Sequence, residues 1–367
     1  MFSKVQQTPR HDCYEIQQAL RSGPSVLLFA RNVQTNEDAV IKVLQKYKDT
    51  RYKLETIEAR QQCQLKALIR NRRFTPGADI YIGLGGICEQ NEEKICFAEI
   101  IGKKPSQRKI HLERGVEYAL LMKPLADERR LDLLLQAEND QEEEHLISSL
   151  VAYIVYMHRH LARRITPIEK WGSTDYLYKK LEHNIGLFEL VKSMDKDQRY
   201  RKYYRLKDEL LRLFDQRRYQ AYFEEREQKR YIRRCHGDLR ASNIWIDPYN
   251  QCWSEEQWKH VHVLDAIDFN PMYSNIDILS DFAMLIVDME PQTRSLSMID
   301  RLIKDYLEQT EQEDRVSRSV LAYYLMEKAL VRAAISIVYD DQPEIGLNYL
   351  QMVERFKEGL KDNLIII

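Results

Sequence analysis

Three short stretches of this 367-residue chain concentrate side chains that hold cations and orient hydroxyls: residues 235–247 (CHGDLRASNIWID), 263–271 (VLDAIDFNP) and 275–288 (NIDILSDFAMLIVD). Phosphoryl transfer asks for a carboxylate that orients the attacking hydroxyl and for an oxygen-rich pocket that holds Mg²⁺ on a triphosphate. Asp238, Asn243 and Asp268 carry those groups, the last in Ile267-Asp268-Phe269 after the next apolar run. Other clusters are weaker. His158-Arg159-His160 and His260-Val261-His262 match no zinc-ligand spacing and read as structural. Cys235 directly precedes His236, and a Cys-His pair adjacent in sequence is not a nucleophile geometry.

The elements that must position these residues follow from breakers and periodicity. With only 12 glycines and 10 prolines, the chain cannot supply a turn signal every ~8–12 residues, as an all-β sandwich or barrel would need. Its length suits two lobes, each able to bury a core. Residues 1–24 predict a short helical lead-in that ends at Ser22, Gly23 and Pro24. Runs 25–32 and 38–44 predict a β-hairpin, 48–73 a helix stopped at Thr75, Pro76 and Gly77, and 80–87, 94–101 and 116–122 three more strands. After Lys123 and Pro124 the pattern turns helical over 127–137, 142–164, 173–194 and 199–232. Apolar runs at 243–247 and 260–269, joined by the polar connection 248–259, read as a hairpin, and helices resume at 276–290, 292–310, 315–338 and 343–361. The expectation is an α+β chain with a strand-rich lobe, 1–123, and a mostly helical lobe, 124–367.

Charge and cysteines exclude some partners. Lys and Arg number 56 against 57 Asp and Glu, so any nucleic-acid footprint must be local. The basic, tyrosine-bearing stretches 199–207 and 226–234 read as solvated helix faces, and nucleic acid is not an expected partner. The six cysteines form no C-x-x-C pair, which points to reduced thiols in a cytoplasmic protein. The N-terminal residues lack an apolar signal core, and no run approaches the ~18 apolar residues of a membrane span.

Asp238 and Asn243 are five positions apart, the step of the catalytic Asp and metal-binding Asn in protein kinases. HGDLRASNIWI and IDF resemble the H-G-D-x-x-x-x-N and I-D-F/W motifs of the aminoglycoside phosphotransferase and choline kinase group, which has a protein-kinase-like fold. The likeness is greatest to a bacterial branch, often fused to a C-terminal P-loop ATPase domain, in which DAIEFNP-like and WIDVISDIAFLVMDLE-like segments follow. Here DAIDFNP and NIDILSDFAMLIVDME stand in those places. Segments 71–83, 117–135 and 325–336 are similar too, so the resemblance spans nearly the whole chain; no G-x-x-x-x-G-K-[ST] occurs in it, and the chain ends without that ATPase domain.

The resemblance implies a two-lobed kinase-like fold that uses ATP and Mg²⁺, with nucleotide between the lobes. Asp238 becomes the catalytic base, Asn243 and Asp268 the Mg²⁺ ligands, and Lys42 of Ala39-Val40-Ile41-Lys42 the phosphate-binding lysine. A helix glutamate is expected to hold Lys42, Glu58 in preference to Glu55, although the relatives' acidic cluster falls where Gln64, Leu65 and Lys66 stand here. His236 braces the loop and Asp281 anchors its backbone. Arg240 replaces the usual second histidine of H-G-D-x-H, and 30 positions separate Asp238 from Asp268, the extra length lying in 248–259, a candidate pocket wall. No glycine lies between Gly23 and Gly77, so a non-glycine turn near residues 31–38 is expected to cover the phosphates. Two functions remain: transfer of the γ-phosphate to a hydroxyl of a small molecule, or nucleotide binding by a pseudokinase without transfer. Residue types identify neither the acceptor nor the oligomeric state.

Overall fold

Backbone pairing divides the chain into two units. The computed structural model describes residues 11–48, 53–103, 110–136, 140–165, 169–247, 257–293 and 295–361. One unit runs to Ala126 and takes in Leu264–Asn270; the other comprises Asp127–Val263 and the chain from Pro271 onward. Segment 264–270, expected with the helical lobe, therefore groups with the strand-rich one, and it carries Asp268.

The first unit is built from β1 (Asp12–Ser22), β2 (Ser25–Asn32), β3 (Asp38–Leu44), α1 (Ile57–Phe74), β4 (Tyr81–Gln90), β5 (Lys94–Ile101) and β6 (Tyr118–Met122). The strands close into an antiparallel barrel in the order β1-β2-β3-β6-β4-β5. Alternation along each strand sends Leu28, Ala30, Ala39, Ile41, Ile95, Phe97, Ala119 and Leu121 into one core. Lys42, one step from Ile41, takes the opposite face, and a second core of Ala67, Leu68, Tyr81, Leu84 and Leu120 joins α1 to the sheet. Helix α1 starts where Thr56 accepts the N–H of Ala59 at 3.1 Å, and Arg72 in its last turn bonds the carbonyls of Tyr81, Ile82 and Gly102. Gly85 allows a close approach, since a Cβ there would stand 2.5 Å from the Phe97 ring.

Two expectations fail in this unit. Residues 12–22 form β1 rather than a helix; residues 1–10 lie outside the described residues. Glu15-Ile16-Gln17-Gln18-Ala19-Leu20-Arg21 has helical propensity, but pairing with β2 on one side and β5 on the other satisfies the strand's backbone and overrides it. The same pairing sets Cys13 directly opposite Cys96, and the two form a disulfide, so the expectation of thiols reduced throughout does not hold there.

The second unit contains α2 (Leu131–Leu134), α3 (Asp140–Tyr156), β7 (Arg163–Arg164), α4 (Thr174–Met194), α5 (Arg205–Phe214), α6 (Arg217–Gln228), β8 (Ile232–Arg234), β9 (Ile244–Ile246), β10 (Val261–Val263), β11 (Asn275–Asp277), α7 (Ile278–Met289), α8 (Leu296–Gln309), α9 (Arg315–Val338) and α10 (Pro343–Lys361). The hairpin β9/β10 occupies the place read for it, and a small sheet orders β11-β8-β7. The helix read over 142–164 instead ends at Tyr156 and passes into a π-turn, Met157–Leu161, while 199–232 divides into α5, α6 and β8. Every residue of α7 is buried, its apolar side chains together with Ser280, Asp281 and Asp288.

Asp277 ties this unit together. It caps α7 by accepting the N–H of Leu279 at 2.9 Å, and both its oxygens receive the fully buried guanidinium of Arg226 from α6 at 2.7 Å. Removing one partner leaves a buried uncompensated charge. Arg226→Met is expected to lower stability by about 3–5 kcal/mol in urea unfolding, whereas Arg199→Met, which breaks an exposed pair with Glu344, should leave the unfolding midpoint nearly unchanged.

Candidate active site

The second unit holds the H-G-D loop in a fixed form. Strand β8 ends at Arg234, and the Cys235 N–H then bonds the Ser274 carbonyl at 2.7 Å. The loop backbone turns over the carboxylate of Asp281, which accepts the N–H groups of His236 at 3.0 Å and Gly237 at 2.8 Å. Gly237 has φ +90°, which a residue with a Cβ rarely adopts. Burial would raise the pKa of Asp281, but His158, His236 and the Gly237 N–H hold it below the ordinary carboxylate value. His158, carried by the π-turn, bonds the Tyr306 hydroxyl at 2.8 Å through Nδ1 and lies 3.4 Å from Asp281 through Nε2. His158, Cys235 and Asp281 bring ligand atoms within 4.8 Å of one another, yet both Asp281 oxygens are engaged by the loop, so the cluster reads as support for the backbone. Two turns further along α7, Asp288 accepts the Ala241 N–H at 2.9 Å.

These anchors orient two side chains from the motif. Asn243, which closes a tight turn over 241–243, donates Nδ2 to the Asp238 carbonyl at 3.0 Å and to its Oδ2 at 3.3 Å. With Nδ2 committed, its Oδ1 is the atom left to act as a hard-oxygen donor. Asp238 Oδ1 pairs with Arg240 Nε at 3.0 Å.

The first unit gathers a second set. Lys42 Nζ lies 2.9 Å from Asp265 Oδ1, and its own carbonyl accepts Nε2 of the buried Gln64 at 2.8 Å. Burial would depress the Lys42 ammonium, but Asp265, then Asp268, lifts it above the ordinary lysine value. Asp265 is exposed and sits at φ +63°, an unusual backbone for a residue with a side chain. Its N–H bonds the Tyr81 hydroxyl at 3.3 Å, and the next N–H, of Ala266, bonds Asn71 Oδ1 at 2.8 Å. Asp268 is half-buried, 4.0 Å from Cys63 Sγ; burial pushes its carboxyl up to about 6 against the pull of Lys42.

The sequence-derived residues thus fall into two groups: Asp238 with Asn243, and Lys42 with Asp268. Glu58 joins neither. It is exposed in the first turn of α1, where it complements the helix N-terminus, and Asp265 is the carboxylate that Lys42 meets. The helix positions that bond the Lys42 carbonyl and the backbone of segment 264–270 are Gln64 and Asn71, seven apart on one side of α1. In the sequence, Asp265 is marked only by Leu264-Asp265 directly after the apolar strand β10, three residues before the Asp268 of Ile267-Asp268-Phe269. The turn near 31–38 lies at the end of β2 away from Lys42, since Lys42 pairs with Leu27 while Arg31 pairs with Asp38. Gly23-Pro24, between β1 and β2, is the turn nearer the lysine. Most of the 248–259 connection lies outside the described residues; within it, Trp258 stacks on Tyr156 at 3.8 Å.

No protein-family model and no curated protein matches the chain. Solved structures do. A GDP complex of an aminoglycoside 2'-phosphotransferase-IIIa variant aligns at TM-score 0.50 with 12% identity, covering 95% of this chain and 94% of that one. A putative aminoglycoside phosphotransferase from Ralstonia eutropha aligns at TM-score 0.50 with 11% identity, covering 98% and 94%. A choline kinase from Cryptosporidium parvum aligns at 0.49 with 13% identity over 98% and 92%. The fold is therefore the protein-kinase-like fold of aminoglycoside phosphotransferases, with an N-terminal β-sheet and a mostly helical remainder. Among the described residues, no helix is long and apolar enough to cross a membrane.

The raised pKa of Asp268 has a sign that can be measured. Well below the ordinary value of 3.8 this carboxyl is protonated whether the chain is folded or unfolded, and it costs nothing; as pH rises from there to about 6 the unfolded chain releases the proton first, and stability falls. Asp268→Asn is expected to stabilise the chain by about 1–3 kcal/mol at pH 7 and to have little effect at about pH 3, as read from melting curves at both pH values.

Proposed function

We propose that the protein is an ATP- and Mg²⁺-dependent phosphotransferase that moves the γ-phosphate to a hydroxyl of a small molecule. The observation that carries this reading is the Asp238–Asn243 pair, with Asn243 turned by its bond to Asp238 so that an amide oxygen is left for a cation. Asp268 is the complementary donor. A half-buried carboxylate pushed up to about 6 costs stability until a cation meets it, a mark of a functional group rather than a structural one. Together these oxygens suit Mg²⁺, which when bound neutralises charge on the β- and γ-phosphates.

In this reading Lys42 exchanges the Asp265 carboxylate for phosphate oxygens, and the exposed Asp265 carboxylate is released to water. Asp238 accepts the proton of the acceptor hydroxyl as the new O–P bond forms and the bond from γ-phosphorus to the bridging oxygen breaks; ADP leaves and the proton passes to solvent. Arg240 holds the Asp238 carboxylate until the acceptor arrives. The same Arg240–Asp238 pair favours the second reading, a nucleotide-binding pseudokinase, if it never opens.

Purified protein with Mg·ATP, and in parallel Mg·GTP, separates the two. Asp238→Ala should lower transfer by about 10²–10⁴-fold while the nucleotide-induced rise in melting temperature persists. Asn243→Ala combined with Asp268→Ala should abolish that rise. Transfer that survives Asp238→Ala would sink the assignment of the base.

A further inference from the structure

Helices α4 and α9 pack together within the second unit, and the strip where they meet is polar where a helix interface is ordinarily apolar. On α4, Tyr176, Lys180 and Asn184 recur every fourth residue and so share one face; on α9, Tyr324, Glu327 and Lys328 share another. Lys180, Asn184, Tyr324, Glu327 and Lys328 are all buried, Lys180 being 4% and Lys328 7% exposed. Asn184 Nδ2 donates to Glu327 Oε1 at 2.6 Å and sets the register of the two helices.

The two ammonium groups are not held by protein partners. Among the described residues, no hydrogen bond and no ion pair within 4 Å reaches Lys180 or Lys328, and the buried Tyr324 hydroxyl has no hydrogen-bond partner. One carboxylate, already bonded by Asn184, stands against two buried cations, so the strip carries an excess positive charge. Buried charges of this kind are ordinarily paired. Burial, then Lys328, lowers Lys180 to about 8, while Glu327 and more weakly Cys235 and Asp277 act the other way. Glu327 is held below the ordinary glutamate value by Lys328 and Lys180 despite its burial. Cys235 lies three residues before Asp238, and Asp277 caps the helix that anchors the catalytic loop, which ties the strip to the base of that loop.

We propose that Lys180 and Lys328 form an anion-binding subsite, with the Tyr324 hydroxyl as an additional donor, so that the acceptor is a hydroxy compound bearing an oxyanion group. In naming an acceptor this inference rests on the phosphotransferase reading; the anion site itself does not. A pair of cations repels the ammonium groups of amino alcohols and aminoglycosides, so charge alone selects against them.

The first test needs no turnover. Inorganic phosphate, without nucleotide or Mg²⁺, should raise the melting temperature of the full chain saturably at pH 7. Lys180→Met and Lys328→Met should each weaken that response at least tenfold, and the double variant should lose it, while Lys179→Met, at an exposed lysine of the same helix, retains it. Methionine keeps the stem, and each single variant leaves Glu327 one of its two cations; the double variant leaves that buried carboxylate without either and is made together with Glu327→Gln, with far-UV circular dichroism checking that every variant folds. An equal response in wild type and double variant, or none in wild type, overturns the subsite.

A second arm uses Mg·ATP with matched hydroxy acids, sugar phosphates, amino alcohols and aminoglycosides. Turnover of an anionic acceptor is expected, with Lys180→Met raising its KM at least tenfold more than it lowers kcat; the acids against the phosphates show which oxyanion fits. Turnover confined to cationic acceptors overturns the proposal. A phosphate response that depends on the two lysines, in protein that shows no nucleotide-induced stabilisation, leaves the subsite standing and removes the phosphotransferase reading.

Discussion

The H-G-D loop depends on one buried carboxylate. Asp281 is completely excluded from solvent and accepts two successive backbone N–H groups, those of His236 and Gly237, just before Asp238. Those donors would otherwise be buried without partners, at a cost of about 1–3 kcal/mol each. Held by one rigid acceptor, they fix the backbone from which Asp238 projects. The carboxylate in turn is fixed by α7, whose N-terminus is capped by Asp277 and braced by Arg226, and by His158 from the π-turn after α3. Motif, helix and sheet are thus coupled through a small number of charge-assisted hydrogen bonds, each stronger in a low-dielectric interior than in water.

The first unit uses a different device. Its barrel presents Lys42 on the face opposite the main apolar core, and α1 bonds the strand and segment 264–270 with neutral amides, Gln64 and Asn71. No glutamate from α1 reaches the lysine. Charge balance comes instead from Asp265, whose backbone lies in the left-handed region. An exposed carboxylate can leave an ammonium group more cheaply than a buried one, because water replaces the lost interaction. That difference would suit the exchange of partners proposed for Lys42.

Much of this was legible in local sequence and some of it was not. The step from Asp238 to Asn243 is short enough that a single turn sets their geometry, and the bond between them is the result. Apolar periodicity likewise delimited α10 at 343–361. Strand β1 was hidden because its residues favour helix in isolation and become a strand only when β2 and β5 flank them. The disulfide between Cys13 and Cys96 joins positions 83 apart, and barrel register alone makes them opposite.

By itself the sequence determined which chemistry is available: a carboxylate and an amide at the spacing of a phosphoryl-transfer loop, and a lysine on a strand. Tertiary structure decided the partners. Lys42 and Asp265 are 223 positions apart, and no local pattern encodes their 2.9 Å pairing. The ammonium groups of Lys180 and Lys328 are ordinary helix lysines in the sequence and become buried cations only because α4 and α9 pack polar faces together. The physical reason is common to both. Side-chain type is a property of a residue, whereas burial and charge neighbours are properties of the assembled fold, and these set what a charged group does.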